Sequence, residues 1–182
     1  MKSLIFISLM ALLFGGCSSK IQRPYIDNYS LCSQTISNII IDKVTIDNKS
    51  KSLYVTTNEI KAIFENSLIQ SGCFYIYQAD DNNKLLDNNT YILNLQATVY
   101  QENETTKENL IKEENQEKLI MVFNITAHSG EKTVVLSSKS ELFSTSSKIL
   151  GFETSKEYLD DKNALIQSAS KQASIVLHEK LK

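Results

Sequence analysis

TTNEIKAIFENSLIQSGCFYIYQ, residues 56–78, predicts a helix, a glycine that ends it and the start of a strand. Thr56 and Glu59 have the spacing of a capping box, in which each side chain satisfies a free backbone N–H of the first helical turn. Side chains at i, i+3 and i+4 spacing then share one helix face. They are Ile60, Ile63, Phe64, Ser67 and Leu68. Gly72 is suited to the left-handed conformation that ends a helix, and the strand Cys73–Gln78 follows.

A strand is also predicted before this helix. NIIIDKVTI, Asn38–Ile46, is a short apolar run rich in β-branched residues, which is typical of a buried strand. A strand-helix-strand crossover is right-handed and makes its two strands parallel. The first two strands should therefore be parallel, whether or not they are direct neighbours in the sheet.

Three more strands are predicted after a polar turn at 80–89. In Thr90–Gln101 the apolar side chains alternate and share one face; these are Tyr91, Leu93, Leu95, Ala97 and Val99. Leu119–His128 is the next strand, and KTVVLSSKSELF, residues 132–143, is the last. Since only Ser129-Gly130-Glu131 separates these two, they should form an antiparallel hairpin.

The chain ends in a second predicted helix, KNALIQSASKQASIVLHEKL, residues 162–181. Its apolar stripe consists of Ile166, Ala169, Ala173, Val176 and Leu177. The order β-α-β-β-β-β-α predicts an α+β fold. It has a mostly antiparallel sheet of about five strands with both helices packed on one face.

The N-terminus has the pattern of a secretory signal peptide. A positive start at Lys2 precedes a short apolar run, which is shorter than the roughly 20 residues of a membrane-spanning helix. LFGGCSSK, residues 13–20, resembles the bacterial lipoprotein signal, with Phe14 as a departure at a position where aliphatic residues are usual. The resemblance implies that Cys17 becomes the first mature residue and carries acyl chains such as palmitate. Ser18, rather than Asp, after that cysteine implies the outer membrane, with the domain facing the periplasm.

This organisation gives three segments: a signal peptide at 1–16, a lipidated anchor and tether at 17–35, and a single periplasmic domain at 36–182. Two cysteines remain after Cys17, and in an oxidising compartment they are expected to pair. Cys32 precedes the first strand and Cys73 opens the second, so parallel strands would bring both to one end of the sheet. The loop of 73 − 32 = 41 residues predicts a stabilisation of roughly 4 kcal/mol in the chain-entropy model.

The sequence contains no recognisable catalytic or cofactor motif. GxSxG, HExxH, P-loop and GxGxxG patterns are absent, and the SxxK match at Ser168–Lys171 lacks its companion motifs. A metal site is not expected, because only His128 and His178 could join the cysteines and there is no CxxC. A net charge of −2 and the lack of a basic stripe argue against a protein that binds nucleic acid. We therefore expect a non-enzymatic protein with no cofactor and no metal.

The most unusual surface feature is the acidic segment 101–118. It contains six glutamates against three lysines and is longer than a hairpin turn requires. One interpretation is a solvated, mobile excursion. The other is a partner-docking arm whose strands extend beyond the sheet. Its binding residues would be Glu104, Glu108, Leu110, Ile111 and Glu113.

The helix-to-strand region resembles a family pattern. Leu68, Ser71, Gly72 and Phe74, followed after an Asp-rich turn by Tyr91 and Leu93, are similar to periplasmic lipoprotein domains of the curli-secretion (CsgG) and penicillin-binding-protein-activator (LpoB) type. The departure is Asn94-Leu95, where those domains often have Gly. The lipopolysaccharide-assembly lipoprotein (LptE) and the auxiliary lipoproteins of lipid-transport ABC systems share nearly the same element order.

All these resemblances imply a non-enzymatic accessory protein. We expect an anchored lipoprotein that binds and positions a partner in an assembly, secretion or cell-wall complex of the envelope. The alternative is a component of lipid or lipopolysaccharide transport. A filled core would favour the first function and a hollow one the second.

Overall fold

The computed structural model describes residues 20–22, 29–51, 53–77, 89–108, 112–149 and 159–182. The described residues form six strands and two helices. In chain order they are β1 (Lys20–Gln22), β2 (Ser37–Asn48), α1 (Thr57–Gln70), β3 (Phe74–Tyr77), β4 (Thr90–Glu108), β5 (Lys112–Ser129), β6 (Lys132–Ile149) and α2 (Leu159–Leu181). The predicted α+β fold, with five strands and two helices, is confirmed, and the three-residue strand β1 is added to it.

All six strands belong to one mixed sheet with the order β1-β6-β5-β4-β2-β3. The pairs β1/β6, β6/β5 and β5/β4 are antiparallel. As predicted, β2 and β3 are parallel. A second parallel pair, β2 with β4, was not predicted, because it depends on a long-range pairing that no local pattern specifies.

The predicted start of α1 is confirmed. Thr56 is the N-cap residue, and the Glu59 carboxylate accepts a hydrogen bond from the Thr56 backbone N–H at 2.8 Å while Thr56 Oγ1 accepts from the Glu59 N–H at 3.3 Å. Lys162 in α2 forms an ion pair with the same carboxylate at 2.5 Å. Because Glu59 and Lys162 both lie near helix starts, α1 and α2 have their N-terminal ends side by side.

The core lies between one face of the sheet and the two helices. All five predicted inward side chains of β4 are buried, and of the predicted helical stripes only Ile63 and Val176 are just partly buried. The rings of Phe64 on α1 and Phe123 on β5 meet edge to face, with centroids 6.1 Å apart. The described core is therefore filled by interlocking side chains from both layers.

The predicted disulfide joins Cys32 to Cys73, with their Cα atoms 5.0 Å apart. Gly72 before it has φ +73°, and a Cβ there would lie 2.6 Å from the Cys32 carbonyl oxygen. Glycine is required on both grounds, because other residues rarely adopt this φ and have no room for a side chain. The chain before β2 is thereby held closely against the end of α1.

Four strands and one helix are longer than predicted, and the largest extensions are in β4, β5 and β6. β4 continues to Glu108, β5 starts at Lys112 and β6 continues to Ile149, so residues 101–118 are mostly strand, which agrees with the interpretation of extended strands rather than a mobile excursion. The backbone ladder between the strands continues after the apolar alternation has ended. α2 begins at Leu159, three residues earlier than predicted.

Candidate functional site

The three long strands continue well beyond the helix-covered part of the sheet. β2 ends opposite Val99 of β4, whereas the β4–β5 ladder continues to the pair Glu108↔Glu113. We call the continuation the arm; it consists of residues 100–108, 112–120 and 141–149. Nine residues beyond Val99, at about 3.3 Å each, make it roughly 30 Å long.

The arm is held together at its root by Lys118 of β5. Its Nζ lies 3.0 Å from a Glu141 carboxylate oxygen on β6 and 3.8 Å from a Glu102 oxygen on β4. The same ammonium group lies 5.3 Å from the centroid of the Phe143 ring. One cation therefore contacts both flanking strands, through an ion pair to each and a cation–π contact to one.

Glu141, at the root of the arm, forms ion pairs with two lysines. Lys139 lies 2.5 Å from one of its carboxylate oxygens, and Lys118 contacts the other. The hydrogen bond from Lys139, with a smaller contribution from Lys118, lowers the pKa of the Glu141 carboxyl. The Glu141 carboxylate therefore stays ionised at neutral pH and forms ion pairs with both lysines.

Ile120, also at the arm root, is fully buried although it does not belong to the core between sheet and helices. Leu119 and Met121 on either side belong to that core, so the alternation of a strand places Ile120 on the opposite face. Its register partners are Tyr100 and Glu141. Both faces of the sheet thus bury apolar side chains where the arm begins.

The predicted binding residues separate into two groups. Glu104, Glu108 and Glu113 lie in the strand ladder of the arm, and Glu108 is directly paired with Glu113. Leu110 and Ile111, like the predicted lipidation residue Cys17, lie outside the described residues. Three of the five predicted residues therefore lie in one strand hairpin, and their role in binding stays a prediction.

The roles of Lys118, Glu141 and Phe143 at the root of the arm were not predicted from the sequence. Lys118 was counted only as one charge in an acidic segment, and Glu141 and Phe143 were assigned to an ordinary strand. A usable signal was present, because Glu102, Lys118 and Phe143 share one register row once the hairpins are aligned. Cross-strand pairing, rather than local composition, would have found them.

The opposite end of the sheet, which we call the base, contains the disulfide. Leu31 and Cys32 donate backbone hydrogen bonds to the Ser71 carbonyl at 2.8 and 3.1 Å, and Ile36 donates to the Cys73 carbonyl at 2.8 Å. The possible ligand atoms of Cys32, Cys73 and His178 lie within 4.8 Å of one another. While the sulfur atoms are bonded to each other, neither offers the thiolate that a metal ion requires.

Tyr29 also packs against the helical layer. Its hydroxyl donates a hydrogen bond to the Ser67 carbonyl of α1 at 3.0 Å, and Lys171 of α2 lies 4.8 Å from its ring centroid. Burial raises the pKa of the Tyr29 hydroxyl. Lys171, the lysine of the SxxK match, thus has a packing role here.

The face of the sheet away from the helices also carries an aromatic pair at the base. Tyr75 and Tyr77 meet with ring centroids 4.9 Å apart, and Tyr75 is 54% exposed. His128 lies near this end and is 2.9 Å from Thr133 Oγ1 across the β5–β6 turn, which gives this histidine a structural contact.

No helix among the described residues is both long enough and apolar enough to span a bilayer.

No protein-family model and no curated protein matches the sequence. Solved structures with a similar arrangement include a neuraminyllactose-binding hemagglutinin homolog from Helicobacter pylori, with 8% identity, a TM-score of 0.45 and coverage of 90% of this chain and 92% of that one. A minor lipoprotein from Acinetobacter baumannii is 14% identical with a TM-score of 0.36, and the match covers 76% of this chain and 93% of that one. Rare lipoprotein B from Shewanella oneidensis is 12% identical with a TM-score of 0.33, and the match covers 77% of this chain and 93% of that one. At these identities and TM-scores the chain is not assigned to any of their families.

Proposed function

We propose that this chain is a lipid-anchored envelope protein without catalytic activity that binds and positions a partner protein through the arm. Cys17 carries the lipid, the outer membrane is the site of attachment, and the domain faces the periplasm. The observation that carries the proposal is the arm itself. Three strands extend roughly 30 Å beyond the end of β2, and of the described arm side chains only Leu119 and Leu142, in its first rows, belong to the core between sheet and helices.

The filled core supports protein binding over lipid carriage. A carrier needs an apolar cavity that can enclose acyl chains. The space between the sheet and the helices is instead occupied by side chains such as Phe64, Leu95 and Phe123, each at most 1% exposed. Lipid or lipopolysaccharide transport is retained as the competing outcome of the experiment below.

The charge of the arm indicates the kind of partner. Residues 101–118 contain six glutamates and three lysines, and one of the lysines is already paired at the arm root. The remaining excess of negative charge is complementary to a basic protein surface. Such pairing mainly accelerates association and selects the partner, and it weakens as salt rises.

The first experiment is crosslinking and pull-down from intact envelopes, followed by mass spectrometry. Three forms are compared: the native chain, Cys17→Ala, and a form in which an Asn-Gly turn joins Asn103 directly to Glu117. These two residues face each other in the ladder, so the shortened hairpin keeps its register. We expect the native chain to capture an envelope protein complex, and both variants to lose it.

A matched pair of charge variants separates the acidic arm from general charge effects. The test variant replaces Glu104, Glu108 and Glu113 with Gln. The control variant replaces three acids outside the arm with the corresponding amides, at Asp42, Glu131 and Glu179. We expect the test variant to reduce capture several-fold and the control to retain it. Unchanged capture by the shortened arm would refute the arm as the binding site, and enrichment of lipid alone would favour transport.

A further inference from the structure

The strand β1 connects the N-terminal segment to the arm. Lys20, Ile21 and Gln22 pair antiparallel with Thr145, Ser144 and Phe143 of β6. Thr145 in turn pairs with Gln116, which pairs with Glu104, so Lys20 lies in a row that belongs to the middle of the arm. The chain therefore reaches the fold from the side of the arm.

Only two residues, Ser18 and Ser19, separate Cys17 from Lys20, so three Cα-to-Cα steps join them. A chain spans at most about 3.6 Å per residue, so the Cα atom of Cys17 lies within about 11 Å of that of Lys20, whatever path the chain takes. The base is much farther away. The row of Thr90 lies fourteen residues along β4 from the row of Glu104, which is about 46 Å.

From these two distances we infer that the arm is the membrane-proximal end of the domain, with lipid headgroups beside it and the disulfide end directed away from the bilayer. This inference rests on the proposed lipidation of Cys17. Acyl chains on Cys17 must lie in the bilayer, which brings Lys20 and the paired part of β6 to the headgroup layer. A partner that docks on the arm must then present its basic surface at the level of the membrane.

The sequence contains no tryptophan, so a single introduced tryptophan reports its own distance from the membrane without background. Phe143→Trp places the probe next to β1, and Trp can keep the cation–π contact with Lys118. Tyr75→Trp is the matched probe at the base, also an aromatic replacement on the face away from the helices. Tyr100→Trp is a second arm probe if the first variant folds poorly.

Each lipidated variant is reconstituted into phosphatidylcholine vesicles that contain a fraction of lipid with a nitroxide-labelled headgroup. We expect strong quenching of the tryptophan at Phe143 and little quenching at Tyr75. Equal quenching at the two positions, or stronger quenching at Tyr75, would overturn the orientation while leaving the lipid anchor intact. Failure of the native chain to acquire lipid, with Cys17→Ala partitioning in the same way, would instead refute the proposed function.

The short tether is tested separately by inserting about 20 Gly/Ser residues before Lys20. Such a linker has a root-mean-square span of roughly 25 Å and lets the domain leave the surface. Quenching at Phe143→Trp should then fall to the level of the Cys17→Ala form. If it stays high, the short tether is not what holds the arm at the membrane and the inference fails. Ile21→Pro, which removes a backbone donor from β1, should lower the same signal less.

Discussion

The two halves of the long strands differ in how they are stabilised. In the half nearer the base, Leu93, Leu95 and Ala97 of β4 alternate with polar residues and are buried under the helices. In the arm, the same strand continues with Glu102 and Asn103, which are exposed. The backbone ladder does not change at the boundary, so the strand outlasts its core. Burial fixes the register in one half, and cross-strand pairing extends it through the other.

The largest effect on stability is expected for Phe123→Ala, in the half of the strands nearer the base. Phe123 is fully buried against Phe64, and removing such a ring loses its transfer free energy and leaves a cavity. We expect the free energy of unfolding to fall by about 4 kcal/mol, measured by urea denaturation. The control is Val135→Ala, because Val135 is 69% exposed. A similar loss in the control would show that the core is not the main source of stability.

Removal of the disulfide tests the base. Replacing both Cys32 and Cys73 with Ala opens a loop of 41 residues in the unfolded chain. We expect a loss of about 3 kcal/mol, somewhat below the chain-entropy value because unfolded chains retain residual structure. Hydrogen exchange should rise around Ser71 and β3 and stay unchanged at Lys118. Faster exchange at Lys118 would mean that the two halves open as one unit.

Glu59 lies where the helical layer begins. The Lys162 ammonium, followed by the Thr56 backbone and side chain, lowers the pKa of the Glu59 carboxyl to about 2. Because the folded-state pKa is depressed, the ionised carboxylate stabilises the fold fully above its ordinary pKa near 4.5, and this contribution is lost as pH falls toward 2.

Glu59→Gln isolates the charge, since Gln can still close the capping box. We expect a loss of about 1 kcal/mol at pH 7, discounted because the side chain is partly exposed, and a flatter dependence of stability on pH between about 4.5 and 2. The measurement is thermal unfolding of both forms across this range. The control is Glu65→Gln, which removes only the weak, partly exposed ion pair between Glu65 and Lys61. Parallel pH curves for wild type and Glu59→Gln would contradict the assignment.

The parts of the fold that the sequence predicted are local or periodic. The capping box at Thr56 and Glu59, the break at Gly72 and the buried stripe of α1 each depend on residues within a few positions of one another. The disulfide required one further step, because parallel neighbouring strands bring Cys32 and Cys73 together. The local features could be predicted because short-range geometry specifies them, and the disulfide because the crossover rule adds one long-range constraint.

The arm and β1 could not be predicted in the same way. Residues 101–118 are rich in Glu, Lys and Asn, which have low strand propensity and show no apolar alternation. They extend because β5 pairs with β4 and β6 together, with one register shift between Thr105 and Lys107 of β4, and such pairing is a long-range property. β1 has only three residues, too few for any periodic signal. The charge of residues 101–118 marked the segment as unusual, and extended strands were one of two interpretations, but no local pattern decided between them.

The smallest expected effect concerns the arm itself. Lys118→Met keeps an apolar stem of similar length and removes the ammonium that contacts Glu102, Glu141 and Phe143. Because the site is partly exposed, we expect a loss of only about 0.5 kcal/mol, which should shrink further as salt is raised. Hydrogen exchange should nevertheless rise at the arm root and stay constant around Phe123. That combination would show that charge pairing holds the arm in shape without supporting the core. A loss as large as that of Phe123→Ala would instead make the arm an integral part of the core, and the distinction between the two halves would fail.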